Sequence, residues 1–213
     1  MEETRPNGRA LGRVQLGAGA AIIVAVIALF ATLVWPGYLN RESAYAFNGG
    51  SYEPPNPAAA IDLVDQDSAP FTLESHKGRV VLVFFGYTYC PNFCPTTMVE
   101  VQKVKELLGD KAMEVDVLFV TVDPERDTPA RLKEYLAFFD PTFIGLSGSE
   151  AQIDAIKMPY GVYGQPQAPD ANGQYLVDHS TSLYAIDPEG NLRLTWAYGT
   201  SADDIAEDVE HLI

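Results

Sequence analysis

The sequence predicts an α/β domain, a mixed sheet flanked by helices, on the strength of three patterns. Residues 79–85, apolar throughout after Arg79, and 115–122, interrupted only by Asp116 and Thr121, are rich in β-branched and aromatic side chains, as in central strands covered on both faces. Apolar residues at helical spacing follow each run. A turn sequence, Asp187-Pro-Glu-Gly190, then joins two further strand-like segments into an antiparallel hairpin.

In order along the chain, short strand signals stand at residues 61–64 and 71–73 around a turn at 65–69, ahead of the first central strand at 79–85. Pro95 suits the first turn of a helix, and Met98, Val101, Val104, Leu107 and Leu108 carry its apolar face up to Gly109. That register makes Met98 a core residue. After the strand at 115–122, Asp127 and Thr128 cap a helix through Phe139, with Pro129 at its start. A short strand at 143–146 precedes a helix capped by Ser149 and ended by Pro159. Strands at 175–186 and 192–196 form the hairpin, and Ser201 caps a last helix over 202–212. The order βαβαβαββα, with right-handed crossovers, reads as a thioredoxin-like fold.

Ahead of this domain, residues 16–35 carry no charge over 20 positions. At 1.5 Å per residue they span about 30 Å, the thickness of a bilayer core. Trp35 and Tyr38 sit at the interfacial position and Pro36 ends the helix. The alternative is a cleaved signal peptide ending near Ala44-Tyr45-Ala46, but its apolar region would be shorter and closer to the cleavage site. Arg5, Arg9 and Arg13 precede the span and Arg41 follows it, so the expectation is a single-pass anchor. Residues 1–15 are then cytoplasmic, 16–35 transmembrane, 36–60 a Pro- and Gly-rich linker, and 61–213 an extracytoplasmic domain at the cell membrane.

The net charge of −15 excludes nucleic acid as a partner, because phosphate binding needs a surplus of Lys and Arg. Residues 40–213 alone carry −16, an acidic surface that favours solubility. Two cysteines are too few for a disulfide scaffold, and no 20–50-residue repeat recurs.

The chemistry gathers at Cys90 and Cys94, in a segment leaving the carboxyl end of the central strand, where ligands collect in open α/β sheets. A helix N-terminus there favours a thiolate. Three residues between the cysteines departs from the redox CxxC spacing and leaves more room. Of three histidines, His76 lies in a turn and His211 in the last turn of the final helix. His179 precedes the strand that runs beside the cysteine loop, and is the candidate third ligand.

The motifs FFGYTYCPNFCP (84–95), TVDPERDTP (121–129) and YLVDHSTSLYAIDPEG (175–190) together resemble the SCO/SenC family of copper proteins that assist cytochrome c oxidase assembly, over residue 47 to the C-terminus. The resemblance implies copper ligation by Cys90, Cys94 and His179, a membrane anchor before the domain, and the copper-site subunit of cytochrome c oxidase as recipient. A copper donor or a thiol reductant would be further partners. Asn92 stands where the family's loop often has Asp, and Tyr89 where it often has His. Neither alters a ligand.

Two thiolates and an imidazole suit Cu(I) and can hold Cu(II), although Cys₂His is also a zinc set. Asp123 and Asp178 are candidates to orient a ligand from behind. The loop 161–173 is longer than a minimal connection and is either partner-facing or mobile. The expected function is a metallochaperone rather than an enzyme. The alternative is a thiol–disulfide oxidoreductase working through a Cys90–Cys94 disulfide. Ser180-Thr181-Ser182 lacks the proline usual before the strand facing such a dithiol, which favours the chaperone.

Overall fold

The computed structural model describes residues 27–30 and 45–213. The expected membrane span at 16–35 lies outside these apart from four helical residues, and among the described residues no helix is long and apolar enough to cross a membrane. The fold is carried by a compact unit, Phe47–Ile213.

Its strands are β1 (Gly50–Pro57), β2 (Asp62–Asp65), β3 (Pro70–Thr72), β4 (Val80–Gly86), β5 (Val115–Thr121), β6 (Ile144–Ser147), β7 (Gly164–Pro166), β8 (Val177–His179), β9 (Leu183–Ile186) and β10 (Asn191–Trp196). Its α-helices are α1 (Phe93–Leu108), α2 (Pro129–Leu136), α3 (Glu150–Lys157) and α4 (Ala202–Glu210). The main sheet has the order β1-β10-β9-β4-β5-β6-β2-β3, and β7 and β8 form a separate ribbon. Strands β4, β5 and β6 run parallel, whereas β9 lies antiparallel to β4, with Leu183 opposite Phe84. The mixed sheet expected from the sequence is therefore present.

Every residue of β4 is buried, as its unbroken apolar run requires. Leu82, Phe84, Leu118 and Phe119 have no exposed surface, and each such side chain contributes roughly 1.5–3 kcal/mol by leaving water. Met98 is fully buried on α1, in the core as its register predicts. The predicted caps form: Thr128 accepts from the Arg131 N–H, Ser149 makes a capping box with Gln152, and Ser201 accepts from the Asp204 N–H. Helix α2 stops at Leu136, short of the expected Phe139. Asp140 precedes Pro141, which disfavours helical backbone, and Phe138 is left exposed rather than in the core.

Two expectations are corrected. Within the expected linker, residues 50–57 form β1, paired with β10 at the sheet edge. Prolines are tolerated there because only one side of the strand must bond, and the register shifts between Ser51 and Asn56. The segment is moored by Asp208, whose carboxylate accepts from the N–H groups of Asn48 (2.9 Å) and Gly49 (2.8 Å) and from Trp196 Nε1 (2.8 Å).

The expected strand at 175–186 is two strands, β8 and β9. At the break, the Ser180 N–H donates to the Tyr163 carbonyl (3.0 Å) and its Oγ accepts from the Tyr163 N–H (2.9 Å). These bonds commit the chain to the ribbon and draw β8 away from the main sheet. Part of the 161–173 loop thus becomes β7, with Gly164 opposite His179.

Candidate metal centre

The cysteine loop begins where β4 ends, at Gly86. The Cys90 N–H donates to the Tyr87 carbonyl (3.2 Å), closing a turn, and α1 starts three residues later. Asn92 precedes the helix but its side chain makes no capping bond. Instead Cys90 Sγ accepts from the Cys94 N–H (3.4 Å), so a sulfur occupies the capping place at the positive end of the helix dipole. Both cysteines are free and buried.

Their acidities diverge. A hydrogen bond from the Cys94 thiol lowers the Cys90 value, opposed by burial. Burial first, and then the neighbouring Cys90, push the Cys94 thiol well up. Of the two sulfurs, Cys90 is therefore the one that more readily carries the negative charge.

His179 comes from β8. Alternation along this strand buries Val177, exposes Asp178 and turns His179 toward the cysteines. Its Nδ1 lies 2.7 Å from the Ser180 carbonyl oxygen, and an acceptor there places the ring proton on Nδ1. The Nε2 lone pair then faces Cys94 Sγ at 3.4 Å. The ring stands edge-on to Tyr87, with centroids 5.5 Å apart, and to Phe84 at 6.3 Å. The Tyr87 phenol oxygen in turn accepts from the Val177 N–H (3.2 Å), tying the cysteine loop to β8.

The ligand atoms of Cys90, Cys94 and His179 all lie within 4.8 Å of one another. A metal with bonds of about 2.0–2.3 Å to S and N needs a triangle with edges of about 3.5–4 Å, so the three residues fit an ion with little movement. No other group of three such residues is close enough among the described residues. His76, placed in a turn by the sequence, stacks on Phe71 (4.7 Å) and has Nδ1 2.7 Å from Asp116, a part-buried pair. His211 has Nδ1 2.9 Å from the Glu207 carbonyl oxygen, at the end of α4.

The two candidate orienting carboxylates do not touch the ligands. Asp178 points away from the site, as alternation requires, and accepts from Gln167 Nε2 (2.7 Å). His179 is oriented by the Ser180 carbonyl instead. Asp123 is buried but accepts from Arg126 Nε and from the Tyr175 hydroxyl (3.0 Å). Asp127, expected to cap a helix with Thr128, has a different role. Its buried carboxylate accepts from the Thr88 N–H (3.0 Å), the Thr88 hydroxyl (2.6 Å) and the Thr121 hydroxyl (2.7 Å), pinning the cysteine loop to β5. Burial raises the Asp127 value despite these donors. Tyr87 and Ser180 also carry the site and were not singled out from sequence. Their only signal was position, three residues before Cys90 and one after His179.

Gly86 is required by contact. A Cβ there would lie 2.7 Å from Phe84 Cε1, and 3.0 Å from both Cys94 Sγ and Phe119 Cε2. Gly86→Ala is therefore expected to cost about 1–3 kcal/mol by overpacking and to displace the Cys94 sulfur. Thermal unfolding together with the rate of thiol alkylation checks this, and wild-type values for both would refute it.

The sequence model of SCO1/SenC matches residues 51–213. The chain belongs to the SCO1/SenC family. An SCO2-like protein of Rickettsia felis is 37% identical to this SCO1/SenC chain over 148 residues, 69% of the chain and 72% of the relative. Protein SCO2, mitochondrial, of Saccharomyces cerevisiae is 41% identical over 132 residues, 61% of this chain and 44% of the yeast protein. Among solved structures, Bradyrhizobium japonicum ScoI with copper bound superposes with a TM-score of 0.68 at 37% identity, covering 74% of this chain and 99% of that one. Apo Sco1 of Thermus thermophilus superposes with a TM-score of 0.72 at 34% identity, covering 80% and 99%. The mixed α/β architecture is thus that of the Sco proteins.

Proposed function

We propose that this protein is a membrane-anchored copper chaperone. It takes up one copper ion through Cys90, Cys94 and His179 on the outer side of the cell membrane and delivers it to the copper-site subunit of cytochrome c oxidase. The observation that carries this reading is the convergence of two thiols and an imidazole from separate elements onto one ion-sized gap. The structure of a relative with copper bound, at 37% identity, supports copper over zinc. Cys90 and Cys94 supply soft donors on a rigid turn, and His179 supplies a neutral nitrogen whose tautomer Ser180 fixes. Three protein ligands leave coordination space for a donor's or recipient's own thiol, thioether or imidazole, so the ion can pass by ligand exchange.

The anchor rests on the uncharged span at 16–35 and the Arg residues before it. Full-length protein with reduced thiols is expected to retain one copper per chain after dialysis, and to lose it when Cys90 and Cys94 are oxidised to a disulfide. Retention by the oxidised protein would refute the site. Protease added to spheroplasts is expected to remove the folded domain, and its protection would refute the topology.

The low Cys90 value and the nearby Cys94 thiol favour a second reading, thiol–disulfide exchange. The Cys90 thiolate would attack a partner's disulfide, and Cys94 would resolve the mixed disulfide. This leaves the partner with two thiols and this chain with a Cys90–Cys94 disulfide, to be restored by a thiol reductant.

A further inference from the structure

The two ligand-bearing segments are held in different ways. Cys90 and Cys94 sit on a turn built directly onto β4 and α1, closed by local bonds and pinned to β5 through Thr88 and Asp127. His179 arrives on the β7–β8 ribbon, which pairs with no strand of the main sheet. The ribbon's position therefore depends on side-chain links. Tyr87 provides one, through the Val177 N–H, and Lys157 another, donating from Nζ to the Gly164 carbonyl (3.0 Å).

The third link is Arg126, in the loop between β5 and α2. Its guanidinium lies 3.5 Å from the ring centroid of Tyr175 and 4.7 Å from that of Tyr89. Tyr89 immediately precedes Cys90, and Tyr175 leads into β8, four residues before His179. Arg126 Nη1 donates to the Tyr175 carbonyl (2.8 Å), while Nε is paired with Asp123, which also accepts from the Tyr175 hydroxyl (3.0 Å). Ring, carbonyl and hydroxyl of one tyrosine are thus fixed by one ion pair. The remaining nitrogen, Nη2, is buried without a hydrogen-bond partner, and the rings of Tyr175, Tyr89 and Tyr87 lie within 5.8 Å of the guanidinium carbon. Attraction between a guanidinium and aromatic faces strengthens as water is excluded.

We propose that Arg126 is a positioning residue that clasps the His179-bearing ribbon to the cysteine loop, and so sets how firmly the site holds Cu(II) as distinct from Cu(I). The inference rests on the copper reading above. Two thiolates suffice for Cu(I), whereas Cu(II) depends on the added nitrogen, so loosening the ribbon weakens Cu(II) selectively. Asp123 then acts on the site through Arg126 and Tyr175, although it touches no ligand.

The test is Arg126→Lys, with Arg126→Ala beside it. Lysine keeps the charge and can reach Asp123, but it lacks the flat face and the fork that bonds the Tyr175 carbonyl while pairing with Asp123. In metal-free protein, hydrogen exchange at the Val177 and His179 amides is expected to speed up in both variants, while the amides of β4 and β5 stay protected. In the loaded protein, both variants are expected to keep Cu(I), to bind Cu(II) about 10–100-fold more weakly and to show an altered thiolate-to-Cu(II) absorption band. Wild-type exchange at β8, or an unchanged Cu(II) affinity and band, overturns the proposal. So does a uniform loss of protection across β4 and β5 with both copper states weakened together, the mark of a residue that serves only the fold. Failure of the copper reading is distinguishable, because wild-type protein would then bind no copper while the metal-free exchange still reports on the clasp.

Discussion

Cys90→Ser and Cys94→Ser are each expected to abolish tight copper binding, taking the retained metal from one ion per chain to none. A serine hydroxyl at neutral pH is a hard, protonated donor with little affinity for Cu(I). The two variants should differ in stability. At position 90 the oxygen can still accept the Cys94 N–H, in the role that serine commonly plays at a helix start, so the fold should be nearly unaffected. At position 94 the hydroxyl enters a site with no exposed surface, beside Phe84 and Phe119. Its shorter C–O bond draws the donor back from Cys90 Sγ and His179 Nε2, so the change should cost about 1–3 kcal/mol. Dialysis with metal analysis, run beside thermal unfolding, checks both halves. Unchanged stoichiometry in both variants would place the site elsewhere. Proton counting adds a further check. With the Cys90 value lowered by the Cys94 hydrogen bond and the Cys94 thiol pushed up by burial, copper uptake at neutral pH should release about one proton, from Cys94. Release of two would mean that both thiols are protonated before loading.

His179→Ala is expected to separate the two functional readings. It removes the nitrogen donor and leaves both thiols, so Cu(I) should be retained and Cu(II) largely lost, with oxidase assembly failing in cells. In the exchange reading the imidazole is not needed as a ligand, and assembly should instead follow the rate of dithiol exchange with a partner peptide. Copper retention, exchange rate and assembly measured together decide between them. A variant that keeps both copper states and full assembly would remove His179 from the site. A variant that keeps copper while assembly falls with exchange would favour the oxidoreductase.

What could be read from the sequence was what local pattern controls. Strands β4 and β5 are buried along almost their whole length, so their composition alone declares them. Thr128, Ser149 and Ser201 announce their helices because capping is a contact over three residues. Cys90 and Cys94 were visible as a pair at a strand-to-helix junction, and His179 only through the resemblance and its place before β9. What escaped depends on pairing between distant segments. Residues 50–57 look like a linker until β10 is set beside them. The break at Ser180 follows from its bonds to Tyr163, 17 residues earlier. Asp178 was favoured for its nearness in sequence to His179, yet adjacent residues on a strand face opposite ways. Asp127 and Arg126 sat in a motif that reads as a helix cap, and their partners, Thr88 and Tyr175, lie 39 and 49 residues away.

The outermost strands of the main sheet have a consequence for recruitment. One edge is β1, with Pro54, Pro55 and Pro57 among its eight residues, and the other is β3, three residues long and beginning at Pro70. Proline offers no N–H, and a three-residue strand offers little backbone to copy. Neither border can readily be lengthened by a visiting polypeptide, so the main sheet is poorly suited to recognition by strand addition. A visitor must read side chains instead, and those around Cys90, Cys94 and His179 are on the loops beyond the carboxyl ends of β4 and β5 and on the β7–β8 ribbon. The same blunted borders give neighbouring copies little backbone for joining their sheets edge to edge, even where many are crowded together.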